Sequence, residues 1–85
     1  MISFDYTIQD DLGIHARPAG VIVREVQNSQ SKVEVHKADA SAEANKIFAI
    51  MKLGVKQGDT ITVTVDGPDE AELAAKLKTI FEQQL

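Results

Sequence analysis

The 85-residue chain has no cysteine and no tryptophan, and its aromatic complement is three phenylalanines and one tyrosine. Without cysteine there is no disulfide framework and no thiolate chemistry, which fits a reducing compartment. With only two histidines and scattered acids, no convergent ligand set marks a metal site, so neither metal nor cofactor is expected. There is no glycine-rich loop of the nucleotide-cradling kind and no nucleophile elbow for a serine-type triad. The longest apolar run, Ile47 to Met51, is far too short to span a bilayer. The opening residues Met1-Ile2-Ser3-Phe4-Asp5 lack the basic start and apolar stretch of a signal peptide. A cytoplasmic location without membrane insertion is the expectation. Nine basic residues against thirteen acidic leave a net charge of −4, and a nucleic-acid binder would show the opposite, clustered excess. Repeats and low-complexity stretches are also missing.

What remains is an ordinary soluble composition, 44% hydrophobic and 26% charged. Residues 1–85 read as a single domain with no linker. Ile2, Phe4, Tyr6 and Ile8 alternate with polar residues and predict a half-buried strand. From Ala16 to about Gln27, Ala19, Ile22, Val23 and Val26 fall at helical spacing, with Arg24 and Glu25 opposite. Val33 and Val35 predict a second strand with His36 on its solvated face, and Ala40, Ala42 and Ala44 a weak third. Asn45 is placed to cap a short helix over Lys46 to Lys52, which Gly54 closes in the left-handed region. Ile61, Val63 and Val65 alternate with threonines in the clearest strand, and Gly67-Pro68-Asp69-Glu70 opens a last helix with its stripe at Leu73, Leu77, Ile80 and Phe81. The order β-α-β-β-α-β-α obliges the helices to cover one face of one sheet, an open-faced two-layer α+β sandwich.

One segment carries chemistry: Gly13-Ile14-His15-Ala16-Arg17-Pro18, where a strand gives way to a helix. Gly13 frees the backbone for a tight turn, and Pro18 suits an opening helical turn. A helix start presents unpaired N–H groups and the positive end of its dipole to an anion. Arg17 adds a forked, permanently charged donor for phosphate oxygens. An imidazole beside such a cradle is a phosphoryl acceptor. The short second helix is apolar around most of its girth, so not all of it faces inward. Ile50 and Leu53 are expected in the core, leaving Ile47, Phe48 and Met51 as a small exposed patch.

The hexapeptide resembles the active-site segment of HPr, the histidine-containing phosphocarrier family of the bacterial sugar phosphotransferase system. Lys46 through Val55, Gly58 and Asp66 through Glu70 are similar to further parts of that family, and the likeness spans nearly the whole chain. It implies an antiparallel four-stranded sheet in the order 1-4-2-3, covered on one face by three helices. It implies that His15 carries a phosphoryl group on Nδ1, received from phosphorylated enzyme I and passed to sugar-specific EIIA-type acceptor proteins. Ala16 and Arg17 would hold the phosphoryl oxygens. The docking surface would comprise Ala16, Arg17, Gly20, Arg24, Lys46, Ile47, Phe48 and Met51 of a monomeric carrier.

Three positions depart from the family pattern. Leu12 stands where a Ser, Thr or Asn is usual beside the phosphoryl group, and the Lys37-Ala38-Asp39 turn lacks the usual glycine. Lys46 stands where HPr of low-GC Gram-positive bacteria has a kinase-regulated serine, so that switch should be absent. Two alternatives stay open: a regulatory docking protein of the same family without a role in sugar uptake, and a plain interaction module whose histidine is incidental.

Overall fold

Alternation and helical spacing resolve into seven elements in the computed structural model, which describes residues 1–85. They are β1 (Ile2–Thr7), α1 (Ala16–Gln27), β2 (Lys32–Lys37), β3 (Ala40–Glu43), α2 (Ile47–Lys52), β4 (Thr60–Asp66) and α3 (Glu70–Gln84). One four-stranded sheet runs β1-β4-β2-β3 with every neighbouring pair antiparallel. This is the open-faced sandwich expected from the element order, and the strand order is the one the resemblance implies.

The period-two pattern decides which face is covered. Val33, Val35, Ile61, Val63 and Val65 are buried beneath the helices. The register aligns Asp5, Thr62, His36 and Ser41 in one row of the other face, and Ser3, Thr64, Glu34 and Glu43 in the next. That face stays wet because every second side chain on each strand is polar. His36 stands there with its Nε2 3.8 Å from Glu34 Oε1, a solvated histidine as expected.

The covered side holds a cluster of 19 buried residues drawn from all three helices and from the sheet. Phe81 is its largest fully buried side chain and meets Phe4 and Tyr6 edge-on at centroid distances of 5.9 and 5.6 Å. Such edge-to-face pairs add about 0.5–1.5 kcal/mol each beyond area burial. α3 lies on β1 and β4, α1 packs against both α2 and α3, and α2 rests beside β3.

Two helix starts differ from the sequence expectation. α2 begins at Ile47 with Lys46 in the cap position and no side-chain cap, not at Lys46 under Asn45. The Asn45 carbonyl instead accepts the Gln27 amide N–H at 3.1 Å, which ties this corner to the end of α1. α3 begins at Glu70, so Pro68 lies outside the helix. Asp69 occupies its cap position, yet its carboxylate turns away and accepts the Ser31 hydroxyl and the Gln30 N–H. That long-range tie to the entrance of β2 outcompetes a local cap. The β2–β3 turn follows from Lys37 pairing with Ala40 and places Ala38 at φ +51°, the left-handed region where an alanine is strained.

Candidate functional site

Gly13 seats the loop before α1. Its φ is +66°, and a β-carbon there would overlap the Val55 carbonyl oxygen and come within 2.8 Å of Lys56 Cα. Only glycine permits that approach. The same Val55 carbonyl accepts the Ile14 N–H at 3.2 Å, and Ile14 is buried, so the segment entering α1 is clamped onto the stretch that follows α2. The segment before it is clamped too: Ile8 N–H donates to Asp59 O at 2.9 Å, Gly58 N–H to Ile8 O at 2.9 Å, and the Gln57 amide to Gln9 O at 3.1 Å. Residues 54–59 are thus a platform. Lys37 braces it from the β2–β3 hairpin, donating to Gly54 O at 2.9 Å and pairing with Asp59 at 3.2 Å.

On this seat His15 is the N-cap of α1, with extended backbone and no side-chain cap bond. A serine or aspartate there would cover the helix start; a histidine leaves it open. The Ala19 N–H bonds to the His15 carbonyl at 3.0 Å, and Pro18, third in the helix, has no N–H. Two N–H groups remain without partners, those of Ala16 and Arg17. N–H groups at a helix start point outward along the positive end of the dipole, as an anion requires. The His15 side chain is about one-third exposed and its Nε2 lies 4.0 Å from Asp10 Oδ2. Arg17 is exposed and its guanidinium pairs with no acid of the chain.

The remaining expected site residues fall on two adjoining helices. Gly20 is half-buried at the seam between α1 and α2, where a β-carbon would just reach Ile47 Cδ1 at 4.0 Å. Ala16, Arg24 and Lys46 are exposed. Phe48 is 82% exposed and Met51 38%, while Ile50 is fully buried. Ile47 is the exception to the expected patch, since it is half-buried against the core. An unforeseen apolar side chain joins the surface: Leu12, in the loop beside His15, is 68% exposed. Asp10, whose carboxylate faces the imidazole, was not among the expected site residues either. An acid five positions before a histidine in coil gives no periodic signal, and only the folded loop brings the two together.

The fold and this site together define an open-faced α+β sandwich that exposes a histidine at an uncovered helix start. The chain belongs to the HPr family: residues 2–83 match the family model described as the PTS HPr component phosphorylation site. It is 36% identical over 85 residues to the phosphocarrier protein HPr of Mycoplasma genitalium, across 98% of this chain and 96% of that protein. A solved histidine-containing phosphocarrier protein of Mycoplasma superposes with a TM-score of 0.93 at 27% identity, over 96% of this chain and 93% of that one. Another solved relative is Crh of Bacillus subtilis, described as a catabolite repression protein, with a TM-score of 0.78 at 28% identity over 100% of this chain and 98% of that one.

Proposed function

We propose that this chain, as one domain over residues 1–85, is a phosphoryl relay that accepts a phosphoryl group on His15 from phosphorylated enzyme I and hands it to EIIA-type acceptor proteins. The observation that carries this reading is the uncovered start of α1, where His15 stands beside two unpartnered N–H groups. Phosphoryl transfer asks chiefly for positioning and for stabilisation of charge on the peripheral oxygens. The N–H groups of Ala16 and Arg17 supply fixed donors, and the Arg17 guanidinium supplies a mobile one.

Docking uses the surface around the site. Phe48 and Met51 provide apolar contact, with Ile47 at their margin, and Ala16, Arg17, Gly20, Arg24 and Lys46 surround them. A shallow site of this kind is completed by the partner that covers it. No helix is long and apolar enough to cross a membrane. The carrier works as a cytoplasmic monomer that meets its partners by diffusion.

The likeness to Crh favours a second reading, a member of the family that regulates by docking without feeding sugar uptake. The experiment that separates them is incubation with phosphoenolpyruvate and enzyme I, followed by mass spectrometry and addition of an EIIA-type acceptor. One acid-labile phosphate on His15 that moves to the acceptor supports the relay. Absence of label, or label that His15→Ala leaves intact, overturns it; label that stays on His15 in the presence of acceptors favours the regulatory reading.

A further inference from the structure

Asp10 is held in place with some force. Its Oδ1 accepts the Leu12 N–H at 2.8 Å, its carbonyl accepts the Gly13 N–H at 3.0 Å, and its own N–H donates to the Leu85 carbonyl oxygen at 2.6 Å. These bonds leave one carboxylate oxygen, Oδ2, and that oxygen faces His15 Nε2 at 4.0 Å. The two side chains are 35% and 29% exposed, and no basic side chain competes for the acid.

We infer that Asp10 is a positioning residue for phosphoryl transfer, whose carboxylate keeps the His15 ring proton on Nε2 and so leaves the Nδ1 lone pair free for phosphorus. The inference rests on the relay reading for its reaction. In the accepting step the Nδ1 lone pair forms a bond to phosphorus as the donor phosphohistidine's N–P bond breaks, and that bond's electron pair returns to the donor ring. The His15 ring keeps its Nε2 proton and becomes a phosphorylated imidazolium, whose positive charge the Asp10 carboxylate offsets. In the onward step the acceptor's nucleophile takes the phosphoryl group and the N–P electron pair returns to Nδ1. Because the proton has stayed on Nε2, the ring leaves as neutral imidazole rather than as an anion. One carboxylate therefore assists both directions of the relay. A separation of 4.0 Å is longer than a hydrogen bond, but charge acts across it, and such contacts tighten in the reacting complex.

The two functions of Asp10 can be separated by substitution. Asp10→Asn keeps an oxygen for the Leu12 N–H and removes the charge, whereas Asp10→Ala removes both. The first readout is the tautomer of His15, from its ring nitrogen shifts by NMR at about pH 9, well above the ordinary imidazole range. Asp10→Asn should lower the Nε2–H share. The second is the rate of label transfer from phosphorylated enzyme I, expected to fall roughly tenfold in Asp10→Asn at unchanged melting temperature. That is far below the ~10⁴ typical of a buried Asp–His pair, because both groups here are partly solvated. If Asp10→Asn matches the native protein in tautomer and rate while Asp10→Ala is slow, Asp10 merely fastens the loop and the inference is overturned. If the native protein takes no label, the relay reading fails separately. The tautomer still decides the role of Asp10 in that case: a shifted tautomer in Asp10→Asn supports it and an unshifted one overturns it.

Discussion

Gly13 and Val55, 42 positions apart, meet so closely that the carbonyl of one occupies the space a β-carbon on the other would need. The contact is what connects the loop before His15 to the exit of α2. Gly13→Ala adds a left-handed alanine, at about 1–2 kcal/mol, to a collision that the loop relieves only by lifting off Val55. The expected result is a melting temperature lower by several degrees and a disproportionate loss of transfer, since lifting the loop moves His15. Thermal unfolding and label transfer measured on the same sample check it; normal transfer would show that the seat is dispensable.

Arg17 pairs with no acid of the chain and is exposed, so its removal leaves the fold intact. Arg17→Ala should slow phosphoryl transfer by roughly 10²–10³, the usual effect of deleting one preorganised donor to developing charge. Arg17→Lys should recover only part of the rate, because a point charge does not reproduce the fork. Single-turnover transfer from enzyme I measures both.

On α2, adjacent faces should give opposite results. Phe48→Glu alters a side chain that is 82% exposed and should change stability by no more than about 0.5 kcal/mol while weakening capture of enzyme I or an acceptor. Ile50→Ala empties a fully buried position and should cost about 2–5 kcal/mol. Calorimetry alongside a binding titration distinguishes them, and unfolding by Phe48→Glu would place Phe48 in the core.

The Ser31 hydroxyl, and after it the Gln30 N–H, holds the Asp69 carboxyl below the usual carboxylate range. A carboxylate with a lower pKa folded than unfolded adds stability above the unfolded value and loses it as pH falls through the folded one. Asp69→Asn should therefore be less stable than the native protein at neutral pH. The gap should close as pH drops below about 4. Melting temperatures from pH 7 to pH 2 test this, and a gap independent of pH would assign the effect to packing.

At the β2–β3 turn Ala38 sits at φ +51°. Ala38→Gly removes that strain and should stabilise the protein by about 1 kcal/mol, which in a domain of this size raises the melting temperature by roughly 4–8 °C. An unchanged or lower melting temperature would mean that the lost alanine restricts the unfolded chain as much as it strains the folded one.

The strands and α1 were legible because each carries its own period. Ile61, Val63 and Val65 mark β4 without help from the rest of the chain, and α1 runs over the expected Ala16–Gln27. β3 formed despite its alanines because β2 pairs with it. Local cap signals mislead at two helix starts: the Asp69 carboxylate is claimed by Ser31 and Gln30, distant in sequence, while at α2 the cap position falls one residue later, on Lys46, and the Asn45 backbone carbonyl is tied to Gln27. His15 and Arg17 were readable because the motif is contiguous. The seat beneath them was not, since Gly13 meets Val55 and Lys37 meets Asp59 only after folding.

If His15 carries a phosphoryl group as proposed, Pro18 has a consequence for how tightly that group is held. A phosphoryl group presents three peripheral oxygens, and by occupying the third helical position proline removes the backbone donor that a third oxygen would have met. The rigid part of the grip is therefore two-pronged, and the last oxygen is left to a swinging guanidinium or to whatever protein arrives. A partner that brings its own donor takes over that oxygen without first having to break a fixed bond. On the relay reading proposed above, the cargo would be kept at the threshold rather than locked inside, and exchange in either direction would start from the same half-open hold.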